Sequence, residues 1–161
     1  MSEVITVESL KEENRIITKA DEVESVCRWG AARAGAIATI PLAGAVALMA
    51  NEVYMIMRIG NIYGARIDAS AAKGFMLAMA GTIIGRTIAS FIPGLNIIVA
   101  VTVTYGIGKA AQAWIADGMP EIFDKYKGIF EDMKNQAKQF AEEIMSDRRK
   151  DKPLGDEKQD F

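Results

Sequence analysis

Histidine does not occur in this chain. Its absence removes the commonest general base, the Ser-His-Asp and Cys-His nucleophile systems, and nearly all zinc sites. Cysteine occurs once, at Cys27, so no internal disulfide can form, which suits a reducing compartment. With no histidine to activate it, Cys27 is expected to be a buried, inert thiol. Aromatic residues make up only 7% of the chain, and no basic surplus exists: the net charge is −2 and the pI about 5.3. That balance argues against a nucleic-acid partner. The acidic stretch MSEVITVESLKEEN lacks the cationic and apolar runs of a cleavable signal peptide. No enzymatic activity, cofactor or metal site is expected from this inventory.

Small side chains are abundant instead. Alanine and glycine contribute 24 and 14 of the 161 residues, a length that suits one domain. Charge is unevenly spread. Residues 1–28 carry four basic and seven acidic side chains, and residues 117–161 nine basic and twelve acidic. The 88 residues between them, 29–116, hold only eight charges: Arg33, Arg58, Arg66, Lys73, Arg86 and Lys109 against Glu52 and Asp68. The ends are written for water, and the middle avoids it.

Turn signals divide the chain into helices and reveal no strand pair. Asp21 followed by Glu24 reads as a capping box, opening a first helix at residue 21 behind a polar arm, 1–20. Pro41 ends or kinks that helix, and a second runs to a C-terminal stop at Gly64. Asp68 or Ser70 caps a third, which ends at Ile92-Pro93-Gly94, and a fourth ends near Gly118. From Pro120, the apolar residues Ile122, Phe123, Tyr126, Ile129, Phe130, Met133, Ala137, Phe140 and Ile144 keep helical spacing, predicting one amphipathic helix over 120–147. The charged remainder, 148–161, is expected to be disordered. The fold class is therefore all-α: one helical domain over 21–147 with its apolar core in 29–116.

An internal echo accompanies the prolines. RAGAIATIPLAG and RTIASFIPGLN each place an arginine about two turns before Ile-Pro, and Arg58 or Lys109 follows downstream. The echo suggests two similar helix–Pro–helix hairpins turning at Pro41 and at Pro93-Gly94. Between the cations, residues 34–51 and 87–108 are uncharged over 18 and 22 positions, and a spanning helix needs about 20. The first stretch holds few strongly apolar residues, worth roughly −1.5 to −3 kcal/mol on the insertion scale, and the second roughly −3 to −6 kcal/mol. Proline and glycine oppose both, so insertion of either alone is marginal. The segments either enter a bilayer as a packed pair or pack the dry core of a soluble bundle that assembles with further copies of itself. Gly60/Gly64 and Gly81/Gly85 have GxxxG spacing and suit close helix packing in either case.

Two motifs invite chemistry. Gly106-x-Gly108-x-x-Ala111 follows a β-branched run as a dinucleotide fingerprint does, but no second strand can follow it. The glycines read better as relief of crowding in a packed helix. Glu52 stands alone in an apolar helix and must find a partner or become neutral. Arg33, Arg58 and Arg86 are the candidate partners, and a buried structural ion pair is the expectation.

IPLAGAVALMANEVYMIMRIGNIYG followed by GRTIASFIPGLNIIVAVTVTYGIGKAA resembles the bacterial domain of unknown function numbered 697, the YcjF-like family. The resemblance covers roughly residues 20–120 and rests on packing and turn residues. It implies a helical, membrane-associated protein, in some members joined to a small GTPase domain, and supplies no catalytic residue. With it, the sequence points to a non-enzymatic scaffold or recruitment protein. Residues 29–116 would meet the cytoplasmic membrane, both termini would lie in the cytoplasm, and a separately encoded GTPase would be a possible partner. The alternative is a soluble cytoplasmic homo-oligomer, and self-association is expected in either environment.

Overall fold

The computed structural model describes residues 6–39, 44–89 and 95–151, the side chains of 15–17, 44, 45, 80–89, 95 and 96 aside. Six α-helices and one 3-10 turn run in chain order: α1 Val7–Ile37, α2 Gly44–Ile62, α3 Ala69–Ala89, α4 Leu95–Ala116, α5 Asp124–Ala137, α6 Ala141–Met145 and η1 Arg148–Asp151. No strand occurs among the described residues.

Local chemistry explains most of the boundaries. The Thr6 hydroxyl accepts from the Ser9 amide at 3.2 Å and opens α1. The Asp68 carboxylate accepts from the Ala71 amide at 2.7 Å and opens α3. Gly64 and Gly118 take φ of +74° and +87°. Each closes its helix with the paired bonds of a Schellman turn: Ala65 N–H to the Gly60 carbonyl at 2.8 Å, and Met119 N–H to that of Trp114 at 2.8 Å.

Three sequence expectations need correction. α1 begins at Val7, so the polar arm of 1–20 is largely helical and Asp21 lies inside a helix instead of capping one. The 120–147 helix is two helices, broken at 138–140, and Ile122 is exposed ahead of both. The break lets Phe140 turn onto Tyr105 (ring centroids 5.2 Å apart, 81°) beneath the Arg28 guanidinium, so a tertiary contact overrides the stripe. Of 148–161, the first four residues form η1 against α1: the Trp29 indole N–H donates to the Arg149 carbonyl, and Arg149 Nη1 to Ser25 Oγ at 2.8 Å.

Helix α4 is the central element and packs on α1, α2, α3, α5 and α6. Its pairing with α1 is antiparallel: Gly35 faces Ile97 and Val101, whereas Cys27 faces Gly108. Its pairing with α2 is parallel, from Leu48 beside Ala100 to Gln112 Nε2 donating to the Tyr63 hydroxyl at 3.0 Å. The main core holds Phe75, Trp114, Phe130, Met55, Ile56 and Ile107, with Phe75 stacked on Trp114 at 4.5 Å. A second, smaller cluster holds only Ala34, Ala38 and Ala100, with Leu48 against it.

Gly106 and Gly108 lie inside α4 and do the packing work expected of them. A Cβ on Gly106 would stand 2.9 Å from the Phe130 carbonyl oxygen, and one on Gly108 2.6 Å from Cys27 Sγ. Gly108→Ala gains about 1 kcal/mol of helix propensity but overpacks α1 against α4 at a cost of about 1–3 kcal/mol. A net loss of about 1 kcal/mol is expected in urea denaturation. The double variant Cys27→Ala/Gly108→Ala should be no less stable than Cys27→Ala, because the obstructing sulfur is gone. Additive losses would show that Sγ is not the obstacle.

Candidate functional site

The α1–α4 and α2–α4 contacts gather four helix ends at one end of the bundle: the C-terminus of α1, the N-terminus of α2, the C-terminus of α3 and the N-terminus of α4. Pro41, Pro93 and Gly94 lie between these helices and outside the described residues. Arg33 on α1 and Arg86 on α3 sit at matching levels, about one turn before their helix ends. Beyond that level α2 carries no charge until Glu52 and α4 none until Lys109. Lys138, Glu142 and Glu143 of the C-terminal segment share an open hollow with Ile98 on one flank.

Apolar side chains reach the surface here. Val46, in the first turn of α2, is 78% exposed, and Ile98, in the first turn of α4, is 49% exposed. Leu48, Met49 and Val99 are half-buried between them. The rise of 1.5 Å per residue makes the uncharged part of α4, from Leu95 to Gly108, about 21 Å long, and that of α2 about 12 Å.

Glu52 closes the base of this end. It is 2% exposed, and its Oε1 accepts from the Thr104 hydroxyl across the α2–α4 interface. Its Oε2 is buried with no hydrogen-bond partner. Beside it, Leu48, Met49, Val99, Ala100 and Val103 line a crevice of about 20 Å³, room for one water molecule. Burial pushes the carboxyl up to about 8, against the pull of the Thr104 hydrogen bond, so the group is neutral at neutral pH.

The expected ion pair is not seen among the described residues, where no cation pairs with Glu52: Arg33 Nη1 donates to the Lys150 carbonyl at 3.0 Å, and Arg58 lies six residues along α2. The Arg86 side chain lies outside the described residues. The charged network forms elsewhere, on Glu24. Burial alone would raise that carboxyl, but hydrogen bonds from Tyr105 at 2.8 Å and Arg28 at 2.9 Å, with Lys109 at 3.1 Å, hold it below its ordinary range. Only the spacing of Glu24, Arg28, Tyr105 and Lys109 on facing helices could have announced this network, and sequence alone does not show which helices face. Cys27 is fully buried and its thiol is pushed up to about 12.

The glycine pairs part company. Gly64 is a left-handed helix stop, and a Cβ on Gly60 would meet Ile67 Cδ1 at 2.7 Å, so this pair shapes the α2–α3 turn instead of a helix–helix seam. Gly81 and Gly85 lie within α3. No helix among the described residues is long and apolar enough to cross a membrane. No protein-family model, curated protein or solved structure matches the chain.

Proposed function

We propose that this protein is a non-enzymatic helical scaffold that seats its uncharged end in one leaflet of the cytoplasmic membrane. The observation that carries this reading is the exposure of Val46 and Ile98 at a bundle end where residues 34–51 and 87–108 hold no charge. Half of a hydrocarbon core is about 15 Å deep. The uncharged lengths of α2 and α4 suit that depth and fall short of a full crossing. In this reading the end that holds the first turns of α2 and α4 enters first, and Arg33, about one turn before the end of α1, lies nearest the phosphates. The acidic segments on either side of 29–116 stay in the cytoplasm and offer a surface to a recruited partner, for which the YcjF-like resemblance suggests a separately encoded GTPase.

Flotation with uncharged phosphatidylcholine vesicles tests the reading. The protein is expected to float with the vesicles, and Val46→Asp/Ile98→Asp to stay behind. Both positions are exposed, so the exchange costs the fold little. A wild-type protein that stays behind as a discrete oligomer, and that the same double variant turns into a monomer, would overturn the membrane reading in favour of the soluble homo-oligomer.

A further inference from the structure

We infer that Glu52 is a proton-operated latch between α2 and α4: neutral, it holds the uncharged end closed, and ionised, it lets water into the crevice and loosens that end. The inference rests on the proposed membrane reading only for its last step, the coupling to lipid.

The geometry has three parts. Glu52 bridges the two helices through one hydrogen bond from Thr104, its other oxygen is buried without a partner, and the residue lines a crevice already large enough for a water molecule. On α2 Glu52 stands a turn after Leu48, which lies against the small cluster, and a turn before Met55 of the main core, with Met49 and Val99, both packed on the main core, beside it in the crevice. Among the described residues the small cluster holds three alanines with Leu48 against it, smaller side chains than those of the aromatic core. A carboxylate formed at this position has no counter-charge among the described residues, and five apolar side chains line the crevice beside it. Its least costly relief is hydration through the crevice, which parts the first turns of α2 and α4 and leaves the aromatic core in place.

Among the described residues the surrounding titratable groups do not supply that charge balance; the Arg86 side chain lies outside them. On α1, the Cys27 thiol stays neutral, and Arg33 is engaged by η1. On α4, Tyr105 and Lys109 are committed to Glu24. The described α3 side chains of the core, Phe75, Met76 and Met79, are apolar, and Lys73 is exposed. On α2 itself Tyr54 is exposed, and Arg58 lies beyond the main-core residues Met55 and Ile56. Burial sets the Glu52 transition at about 8, close to neutral conditions. Seating in hydrocarbon removes Glu52 further from water and favours its neutral form, so lipid binding must weaken as pH rises through the transition.

Hydrogen exchange on the full-length protein from pH 6 to pH 9, expressed as protection relative to the unstructured rate, reads the latch directly. Amides of 46–52 and 98–104 are expected to exchange faster than the core at every pH and to lose about tenfold or more of their protection across that range, while those around Phe75 and Trp114, which open only with the whole fold, stay better protected and lose no more than the global stability does. Glu52→Gln should hold the pH 6 protection throughout. Protection in 46–52 and 98–104 that is equally constant in wild type and Glu52→Gln would overturn the latch. Flotation with phosphatidylcholine vesicles at the same pH values reads the coupling: wild-type binding should fall several-fold and Glu52→Gln binding should not. Absence of vesicle binding even at pH 6 would count against the membrane reading, and the exchange measurement would still decide the latch.

Discussion

Glu52→Gln is expected to stabilise this protein at neutral pH, by about 3 kcal/mol at pH 7. The unfolded carboxyl ionises near its ordinary 4.5, and burial holds the folded one to about 8. Between those values folding takes up a proton, so stability falls as pH rises from about 4.5 to about 8 and is flat above. Each pH unit in that window costs about 1.4 kcal/mol. Glutamine keeps an acceptor for Thr104 and has no proton to take up, so its curve lacks the slope. The two curves should meet near pH 5 and diverge upward in urea denaturation at pH 5, 7 and 8.5. Below pH 5 both should fall together, because Glu24 and Asp147 are held under their ordinary values and lose their partners on protonation. Had an arginine paired with Glu52, glutamine would have stranded it at a cost of about 1–3 kcal/mol. A variant less stable than wild type at pH 7 would therefore show that a cation reaches the site.

The sign of that prediction shows where sequence reasoning stopped. Helical periodicity, the Asp68 cap and the stops at Gly64 and Gly118 depend on neighbours within a few residues, and all four were legible. So was the isolation of Glu52 in an apolar helix. Its partner was not, because choosing between an arginine and Thr104 depends on which face of α4 meets α2, a register that no local signal encodes. The same limit explains the last helix. Its apolar stripe runs on past residue 137, but Phe140 is claimed by Tyr105 and Arg28, and the chain breaks to deliver it. Residues 7–20 failed in the opposite direction. They are polar on most sides, and the helix continues through them from a cap at Thr6 that the stronger-looking Asp21–Glu24 pair concealed. The Gly60/Gly64 spacing misled because a glycine stop and a glycine contact look alike in one dimension.

Phe75→Ala is expected to have the largest effect on stability of any single truncation, a loss of about 3–5 kcal/mol. The ring is fully buried, stacked on Trp114 at 4.5 Å and edge-on to Phe123 at 5.6 Å, so α3, α4 and the approach to α5 all close on it. Removing it leaves a cavity walled by three rings, two of them held by hydrogen bonds: Trp114 by its indole N–H bond to the Pro120 carbonyl at 3.0 Å, Tyr126 by its hydroxyl bond to Asp117 at 2.7 Å. Neither of these two can swing far to fill the gap. At about 2–4 °C per kcal/mol for a chain of this size, the melting temperature should fall by about 6–20 °C. Leu48→Ala, beside the alanine cluster, supplies the contrast: the side chain is only half-buried, so a loss of about 1 kcal/mol is expected. The difference between the two losses measures how unevenly stability is distributed along the bundle. Losses of similar size at both positions would mean that the uncharged end is held as firmly as the aromatic core, and a latch at Glu52 would then have nothing loose to release.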